Sequence, residues 1–302
     1  MTDNLYTLHA AQLGTTILPG VSGVAIDAGR QIHQSQGAGN LYARTASIAR
    51  YAGKVDLTTT GLAAALGELD LTAAIPAQKL ATKNLTCWAT KVDDVMPAYT
   101  AGSTHEKILI ALGLITLNKL SWSRPGEAAV ASLEAWPLSA DGAAEFWTKS
   151  AAALPTQVGT DADYDLDSLT IGGTGYNLIT DLELSPSSNP APEWPARGID
   201  PTFIRQAPAT GPISIGMSFR SEDRSLLRTA GQHFSGGAVV SVVAVFKNFA
   251  PGAARGASTV TVTLTGLVHV AQATDARPGS VAVSVLGVSA NGTTSPLSIV
   301  LA

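Results

Sequence analysis

Four aspartates alternate along one short segment near the middle of the chain, at Asp161, Asp163, Asp165 and Asp167. Carboxylates at this spacing can gather around a hard cation such as Ca²⁺, which prefers oxygen ligands. An EF-hand loop that began at Asp161 would need glycine at its sixth position and glutamate at its twelfth, but the sequence has Leu166 and Gly172 there. We therefore expect a solvated acidic linker, with a cation site as the alternative.

The other reactive residue types are scattered. The five histidines form no H-x-x-x-H pair, and the single cysteine, Cys87, lies in an apolar run that favours a core position. Gly172-Gly173-Thr174-Gly175 lacks the lysine of a phosphate-binding loop, so it predicts a turn between strands. A G-x-S-x-G nucleophile elbow is also absent from the sequence. These patterns predict a protein that is not an enzyme and uses no metal or cofactor.

The composition favours a folded protein that carries few charges. The chain has 302 residues, of which 45% are hydrophobic and 14% charged, and its formal net charge is −4. Neither half carries a basic stripe, so tight binding to the phosphates of nucleic acid is not expected. The first residues lack the basic and apolar regions of a signal peptide, and the apolar runs are shorter than a membrane span. We expect a soluble protein made in a cytoplasm.

The elements that would position these residues occur twice. Similar segments recur in the same order about 150 to 158 positions apart: Leu13-Gly14 with Ile171-Gly172, Gly53–Leu57 with Gly211–Ile215, Gly113-Leu114 with Gly266-Leu267, Arg124-Pro125-Gly126 with Arg277-Pro278-Gly279, and Ser139–Gly142 with Ser289–Gly292. The offset between matches only shrinks, which small deletions in the second copy would explain. Because repetition fixes architecture, we predict two like domains, residues 1–150 and 151–302.

Strand patterns dominate both copies. Val260–Thr265 and Val281–Val285 each alternate along the chain, and a Pro-Gly turn separates them, so residues 259–288 should form an antiparallel hairpin. Lys107–Ser123 should open the matching hairpin of the first copy. The fold class that we predict is therefore mainly β, with two tandem β-sandwich domains.

Each copy should also carry one short flanking α-helix and one long loop. Thr60 is expected to cap a helix over Gly61–Leu69, and Ser221 a helix over Glu222–Thr229. Residues 28–40 and 185–198 are polar stretches that should form loops between strands. The second stretch contains four prolines, which exclude it from a central strand. In it, Trp194 is a candidate for a contact with another subunit.

The order of these elements resembles a known family. His105–Gly142 has a strand, an Arg-Pro-Gly turn, a second strand and then Ser-Ala-Asp-Gly. This segment resembles the central hairpin of the tail tube proteins, or major tail proteins, of long-tailed, non-contractile bacteriophages. Leu18–Leu66 resembles the opening part of the same domain. With the second copy included, the resemblance covers most of the chain.

The resemblance implies an architectural role. In that family, domains join side by side into six-domain rings, which stack into a tube that conducts DNA. Most members carry one domain per chain, so three copies of this two-domain chain would make a pseudo-sixfold ring. The hairpins would line a lumen low in positive charge, which the acidic segment could also face. The implied partners are other copies of the chain, tape-measure, terminator and baseplate proteins, and DNA in passage, without a membrane.

The same resemblance places the long loops against the next ring. The candidate inter-subunit contacts are Arg30, His33, Gln36, Trp194 and Arg197. The implied location is the virion tail, after assembly in the host cytoplasm. Two alternatives remain: a baseplate hub or distal tail component that shares the fold, and a receptor-binding or carbohydrate-binding β-sandwich module. The second alternative predicts exposed aromatic residues clustered on one loop face.

Overall fold

The computed structural model describes residues 6–27, 30–35, 45–51, 53–91, 104–123, 125–139, 145–156, 163–187, 191–193, 205–207, 213–222, 239–249, 254–272 and 280–302. The chain is mainly β and contains large antiparallel sheets, which confirms the predicted fold class at that level. The division at residue 150 stays a prediction, and the strand at Thr148–Ala153 crosses it.

The first half contains twelve described strands and one helix. They are β1 (Tyr6–Leu13), β2 (Thr16–Leu18), β3 (Val21–Asp27), β4 (Arg30–Ser35), β5 (Thr45–Tyr51), β6 (Lys54–Thr59), α1 (Leu62–Gly67), β7 (Ala77–Lys79), β8 (Leu85–Lys91), β9 (Thr104–Ile110), β10 (Gly113–Trp122), β11 (Val130–Pro137) and β12 (Thr148–Ala153).

The second half contains ten described strands. They are β13 (Asp163–Ile171), β14 (Thr174–Tyr176), β15 (Ile179–Ser187), β16 (Ala191–Glu193), β17 (Arg205–Ala207), β18 (Ser214–Ser221), β19 (Val240–Phe249), β20 (Thr259–Gln272), β21 (Val281–Gly287) and β22 (Leu297–Leu301). The second predicted helix lies almost wholly outside the described residues.

Strand pairing follows the same scheme in both halves. In the first half, β2-β1-β8-β9-β12 form one sheet, and the order β10-β11-β6-β3 forms part of another. In the second half, the corresponding orders are β14-β13-β19-β20-β22 and β20-β21-β18-β15. The small hairpins β4-β5 and β16-β17 also correspond. Each half is therefore organised as two antiparallel layers with a two-stranded extension.

Two β-bulges recur at matching positions. The β1–β8 pair shifts register between Leu8 and Ala10, and the β13–β19 pair shifts between Leu166 and Ser168, 158 positions later. The β3–β6 and β15–β18 pairs shift at positions that also differ by 158. A third bulge, between Leu117 and Lys119 in the β10–β11 pair, has no counterpart in the β20–β21 pair. Bulges re-aim a strand at a defined point, so the two shared bulges give both halves the same local twist.

One matched segment of the sequence is displaced in the structure. Matching by residue type aligned Leu57 with Ile215 at the common offset. In the structure, however, Leu57 pairs with Val24. The counterpart of Val24 is Leu182, which pairs with Phe219, so Phe219 is the counterpart of Leu57. The second half therefore has four extra residues before β18, and the offset does not only shrink. A shift of four residues keeps each side chain on the same face of the strand, so the two segments still look alike in sequence at the wrong offset.

The predicted hairpins form, but with a different register. Val260–Thr265 pairs with β19 and β22, whereas the residues that pair with β21 are Gly266–Gln272. The single strand β20 thus belongs to both layers of its half. In the first half, the predicted strand over Lys107–Ser123 is broken at residues 111–112 into β9 and β10.

A glycine marks the crossing between layers in each half. An added Cβ atom would lie 2.1 Å from the Trp136 carbonyl oxygen at Gly113 and 2.1 Å from the Leu286 carbonyl oxygen at Gly266. Trp136 and Leu286 occupy matching places on β11 and β21. The backbones can approach this closely only because neither residue has a side chain.

Among the described residues, the layers enclose one large apolar core, and Ala10, Trp88 and Leu154 form a small separate cluster. Alternate residues of β6, β10, β11, β18, β19, β20 and β21 point inward and are almost fully buried. Phe219 and Phe246 are the largest of the fully buried side chains. Helix α1 is shorter than predicted: it begins after Gly61, which occupies the N-cap position expected for Thr60, and no side chain caps it. The helix instead packs Leu62 and Leu66 into the core.

Two local predictions have clear outcomes. Gly172 and Gly173 have φ of 56° and 83° and connect β13 to β14, as predicted for a turn. Successive positive φ angles match the twist of a tight hairpin. The predicted loops over residues 28–40 and 185–198 were both partly wrong. Arg30–Ser35 is β4 and pairs with β5. Residues 185–187 end β15, and Ala191–Glu193 is β16, which pairs with β17. Polar residues are compatible with these two-stranded extensions, which lie outside the large sheets.

Replacing either crossing glycine should destabilise the protein. We expect Gly113→Ala and Gly266→Ala each to lower the free energy of unfolding by about 1–3 kcal/mol, because the new Cβ would clash with a backbone carbonyl. Urea unfolding measures the change. Gly175→Ala is the control, since an added Cβ there meets nothing within 4 Å. Equal stability of all three variants would contradict the proposed crossing.

Candidate functional site: the junction of the two halves and its polar sheet face

The two halves are joined by a backbone ladder. The end of β10 pairs with β15 in antiparallel register, with Leu120 opposite Leu184, Ser121 opposite Glu183, and Trp122 opposite Leu182. The four-stranded unit β10-β11-β6-β3 thereby continues into the unit β20-β21-β18-β15. We call these eight strands the shared sheet. It places the polar residues of both halves on a single surface.

The turn after β10 docks on the second half through a buried carboxylate. Asp165 on β13 is 4% exposed. Its oxygens accept hydrogen bonds from Trp122 Nε1 at 2.8 Å, from the Gly126 backbone N–H at 3.1 Å and from Arg255 at 2.7 Å. The Ala129 N–H also donates to the Tyr164 carbonyl at 2.7 Å. A buried carboxylate is tolerated because these donors satisfy it, so Asp165 ties the first half to the second.

Asp167 extends this network toward solvent. Its carboxylate lies 2.9 Å from Lys247 Nζ and 2.7 Å from an Arg255 guanidinium nitrogen. Hydrogen bonds from Lys247 and from Arg255 hold the pKa of Asp167 below its ordinary value. Hydrogen bonding to Asp167 likewise raises the pKa of Arg255. Arg255 thus bridges two carboxylates on one strand.

The prediction of a solvated acidic linker was therefore wrong for the described residues of the segment. Asp163, Asp165 and Asp167 lie on β13, whose exposed side is covered at Asp165 by the docked turn. Asp161 lies outside the described residues. The alternating pattern was that of a strand, but sequence alone does not show that a second element buries its polar side. Among the described residues, no cluster of three or more His, Cys, Asp or Glu side chains forms a metal site.

We call the side of the shared sheet that faces away from the core the polar face. Among its described side chains, three are positively charged and four negatively charged: Lys54, Lys119, Arg220, Asp56, Glu134, Asp181 and Glu183. Lys54 lies within 3.2 Å of both Asp56 and Glu134, and Lys119 lies 2.5 Å from Glu183 across the junction. The hydrogen bond from Lys119 lowers the pKa of Glu183. The described part of this face therefore presents no surplus of positive charge.

The polar face is concave at the junction. A groove of about 550 Å³ lies over β10, β15, β18 and the ends of β20 and β21. Its polar lining includes Ser121, Asp181, Glu183, Arg220, His269 and Ser284. The lining strands are neighbours in the shared sheet, so the groove runs across the β10–β15 ladder.

The remaining reactive groups do not form a second centre among the described residues. Cys87 is fully buried, and burial raises the pKa of its thiol to about 12, so it is held as an unreactive core residue. Among the described helices, none is long and apolar enough to cross a membrane.

Of the five predicted contact residues, two lie on a described strand and three lie outside the described residues. Arg30 and His33 are on β4, in the hairpin with β5. Gln36, Trp194 and Arg197 lie outside the described residues. Their role between subunits stays a prediction.

Sequence reasoning missed the residues that join the halves. Trp122 lies near the end of the predicted strand over Lys107–Ser123 and is buried, and its indole N–H donates a hydrogen bond to Asp165. Arg255 lies in a stretch of small residues that carries no motif. The one usable signal was the strand-like alternation of Asp-Tyr-Asp-Leu-Asp, which indicates a sheet position more than a linker.

A scan against protein-family models finds no match to this chain, and no curated protein matches it.

Removing the charge of Asp165 should weaken the junction. We expect Asp165→Asn to lower the free energy of unfolding by about 2–4 kcal/mol, because Arg255 and two N–H donors lose their shared carboxylate. Asp163→Asn, on the same strand but less buried, should change it by less than about 0.5 kcal/mol. Urea unfolding of the two variants measures the difference. Equal effects would show that Asp165 does not hold the halves together.

The Asp167 ion pairs should respond to acid. The folded pKa of Asp167 lies below its ordinary value of 3.8. The ionised carboxylate therefore stabilises the fold above 3.8, and this contribution is lost as pH falls through the lower, folded pKa. The stability gap between the wild type and Asp167→Asn should shrink as pH is lowered below 3.8. Urea titrations at several pH values measure the gap, and a gap that stays constant would contradict the ion pairs.

Proposed function

We propose that this chain is a structural virion protein that builds the tail tube of a long, non-contractile phage tail. The observation that carries the proposal is the β10–β15 ladder. It joins two four-stranded units that have the same strand order. The shared sheet ends in β3 on one side and in the end of β20 on the other, and the counterparts of these two strands, β15 and β10, pair with each other inside the chain. The two ends are therefore complementary edges, to which further chains can add.

A repeated head-to-tail contact closes into a ring when its rotation divides a full turn. Three chains would supply six four-stranded units, which is the pseudo-sixfold ring that the duplication suggests. With strands ~4.8 Å apart, six such units give a closed sheet roughly 40 Å across, measured between backbones. Such a barrel is too wide for side chains to fill and encloses a channel that can pass a DNA duplex.

The polar face is suited to line such a channel. It is concave, and its described lysines and arginine are each paired with a carboxylate. Nucleic acid binds tightly where unpaired Lys or Arg side chains neutralise phosphates and release counterions. A face without such residues would let DNA slide during ejection.

The assembled tube would have several partners. Rings would stack on one another, and the ends of the tube would contact tape-measure, terminator and baseplate proteins. The protein would be assembled in the host cytoplasm and then reside in the virion. No catalytic step belongs to this function.

Two alternatives make different predictions. A baseplate hub could share the fold and the ring, but it would not stack into long tubes. A carbohydrate-binding module predicts exposed aromatic side chains, whereas the large exposed apolar residues among the described positions are all aliphatic.

Electron microscopy with mass photometry tests the proposal. Purified protein at rising concentration should give a species of three chains of 30.9 kDa each, followed by hollow stacked tubes. Gly175→Ala, whose site is open and lies outside the shared sheet, is the control for handling and should assemble like the wild type. Trimeric rings that never stack would favour the hub, and a persistent monomer would overturn the ring.

A further inference from the structure

The two end strands of the shared sheet, β3 and the end of β20, each have one edge to which no described strand is paired. At one end, β3 pairs with β6 on one side, and no described strand pairs with its other side. At the other end, Gly266–Gln272 of β20 pairs with β21, and no described strand occupies the opposite edge. In the middle, the counterparts of these strands, β15 and β10, pair with each other. The internal ladder is therefore a template for contact with a second copy of the chain.

The repeated pairing fixes a register for that contact. Leu120 lies opposite Ala131, and Gln272 lies opposite Val281, which holds the place of Ala131 in the second half. Gln272 is thus the counterpart of Leu120. Leu184 pairs with Met217 as Ile26 pairs with Val55, so Ile26 is the counterpart of Leu184. Because Leu120 lies opposite Leu184, Gln272 of one chain should lie opposite Ile26 of another.

The charged residues of the internal junction have neutral counterparts. By the same strand pairing, Lys119 corresponds to Ala271 and Glu183 to Ala25. Asp165 pairs with Lys247, and the corresponding pair in the first half is Thr7 with Thr90. The ion pairs inside the chain are therefore not repeated at the outer edges.

We propose, building on the tube function, that β3 of one chain adds to the end of β20 of a second copy with Gln272 opposite Ile26, and that this junction lacks the ion pairs of the internal one. Backbone hydrogen bonds and apolar contacts then hold chains together. The internal junction is additionally stabilised by its ion pairs. A ring should therefore dissociate at the junctions between chains and not at the internal ones.

Cysteine cross-linking tests the register. With Gln272 opposite Ile26, Ala271 of one chain stands directly opposite Asp27 of the neighbouring chain. Directly opposed residues of an antiparallel pair have Cα atoms about 4.5–5.5 Å apart, which lies within the roughly 4.4–6.8 Å that a disulfide spans. The variant Asp27→Cys with Ala271→Cys should form oxidised dimers and trimers on a denaturing gel. Cys87 is buried with a raised thiol pKa and does not compete.

A displaced pair is the matched control. Ala282 lies opposite Ala271 on β21, one strand farther from the proposed partner. Asp27→Cys with Ala282→Cys should not cross-link, because two strand spacings exceed the reach of a disulfide. Cross-linking of both variants alike would overturn the register.

The outcomes separate this inference from the tube function. Rings in the microscope with a cross-linked ladder that ends at the trimer support both. Rings without cross-links overturn the register and leave the tube standing. Absence of both rings and cross-links overturns the tube proposal itself.

Transplanted charges test the missing ion pairs. Ala25→Glu with Ala271→Lys copies the Glu183–Lys119 arrangement into the outer junction, and Ala25→Glu with Ala271→Glu places like charges there. The first variant should associate about 1.4- to 5-fold more tightly per junction than the second at low salt, measured by mass photometry. High salt should reduce this difference. Equal association of the two variants would contradict the proposed proximity.

Discussion

The need to pair backbone groups at strand edges governs this molecule. Each half contributes a four-stranded unit to the shared sheet, and such a unit has two edges that must be paired or covered. Inside the chain, one pair of edges meets in the β10–β15 ladder. The turn after β10 then docks on β13, which brings Trp122 and Gly126 to Asp165. The buried carboxylate is a consequence of this pairing, because the docked turn excludes water from it.

The fold class followed from alternation and turn residues, because one-sided burial leaves a period of two in the sequence. The hairpin registers did not follow, since β20 takes part in two layers and its alternation is continuous across the crossing. Gly266 and Gly113 marked that crossing, but glycine also marks ordinary turns. The junction was still harder to foresee. Asp165 looks like any exposed strand aspartate until the first half is placed over it.

The two halves keep the same pairing scheme but differ in how they are stabilised. Apolar positions and shared bulges have been retained, since they determine sheet curvature. Charged residues differ: the counterparts of Lys119, Glu183 and Asp165 in the other half are the neutral residues Ala271, Ala25 and Thr7. In a ring of the proposed kind, the contact within a chain would not have to match the contact between chains, because the two would be made by different residues.

The extra residue at the β10–β11 bulge has a consequence for symmetry. Because β20 and β21 lack this bulge, the strand kink that it produces occurs once per chain. In a ring of three chains, successive units would alternate between kinked and straight. A protein that bound the ring at this bulge would find three equivalent binding sites. A threefold-symmetric partner could therefore bind there without the symmetry mismatch that a true sixfold ring would impose.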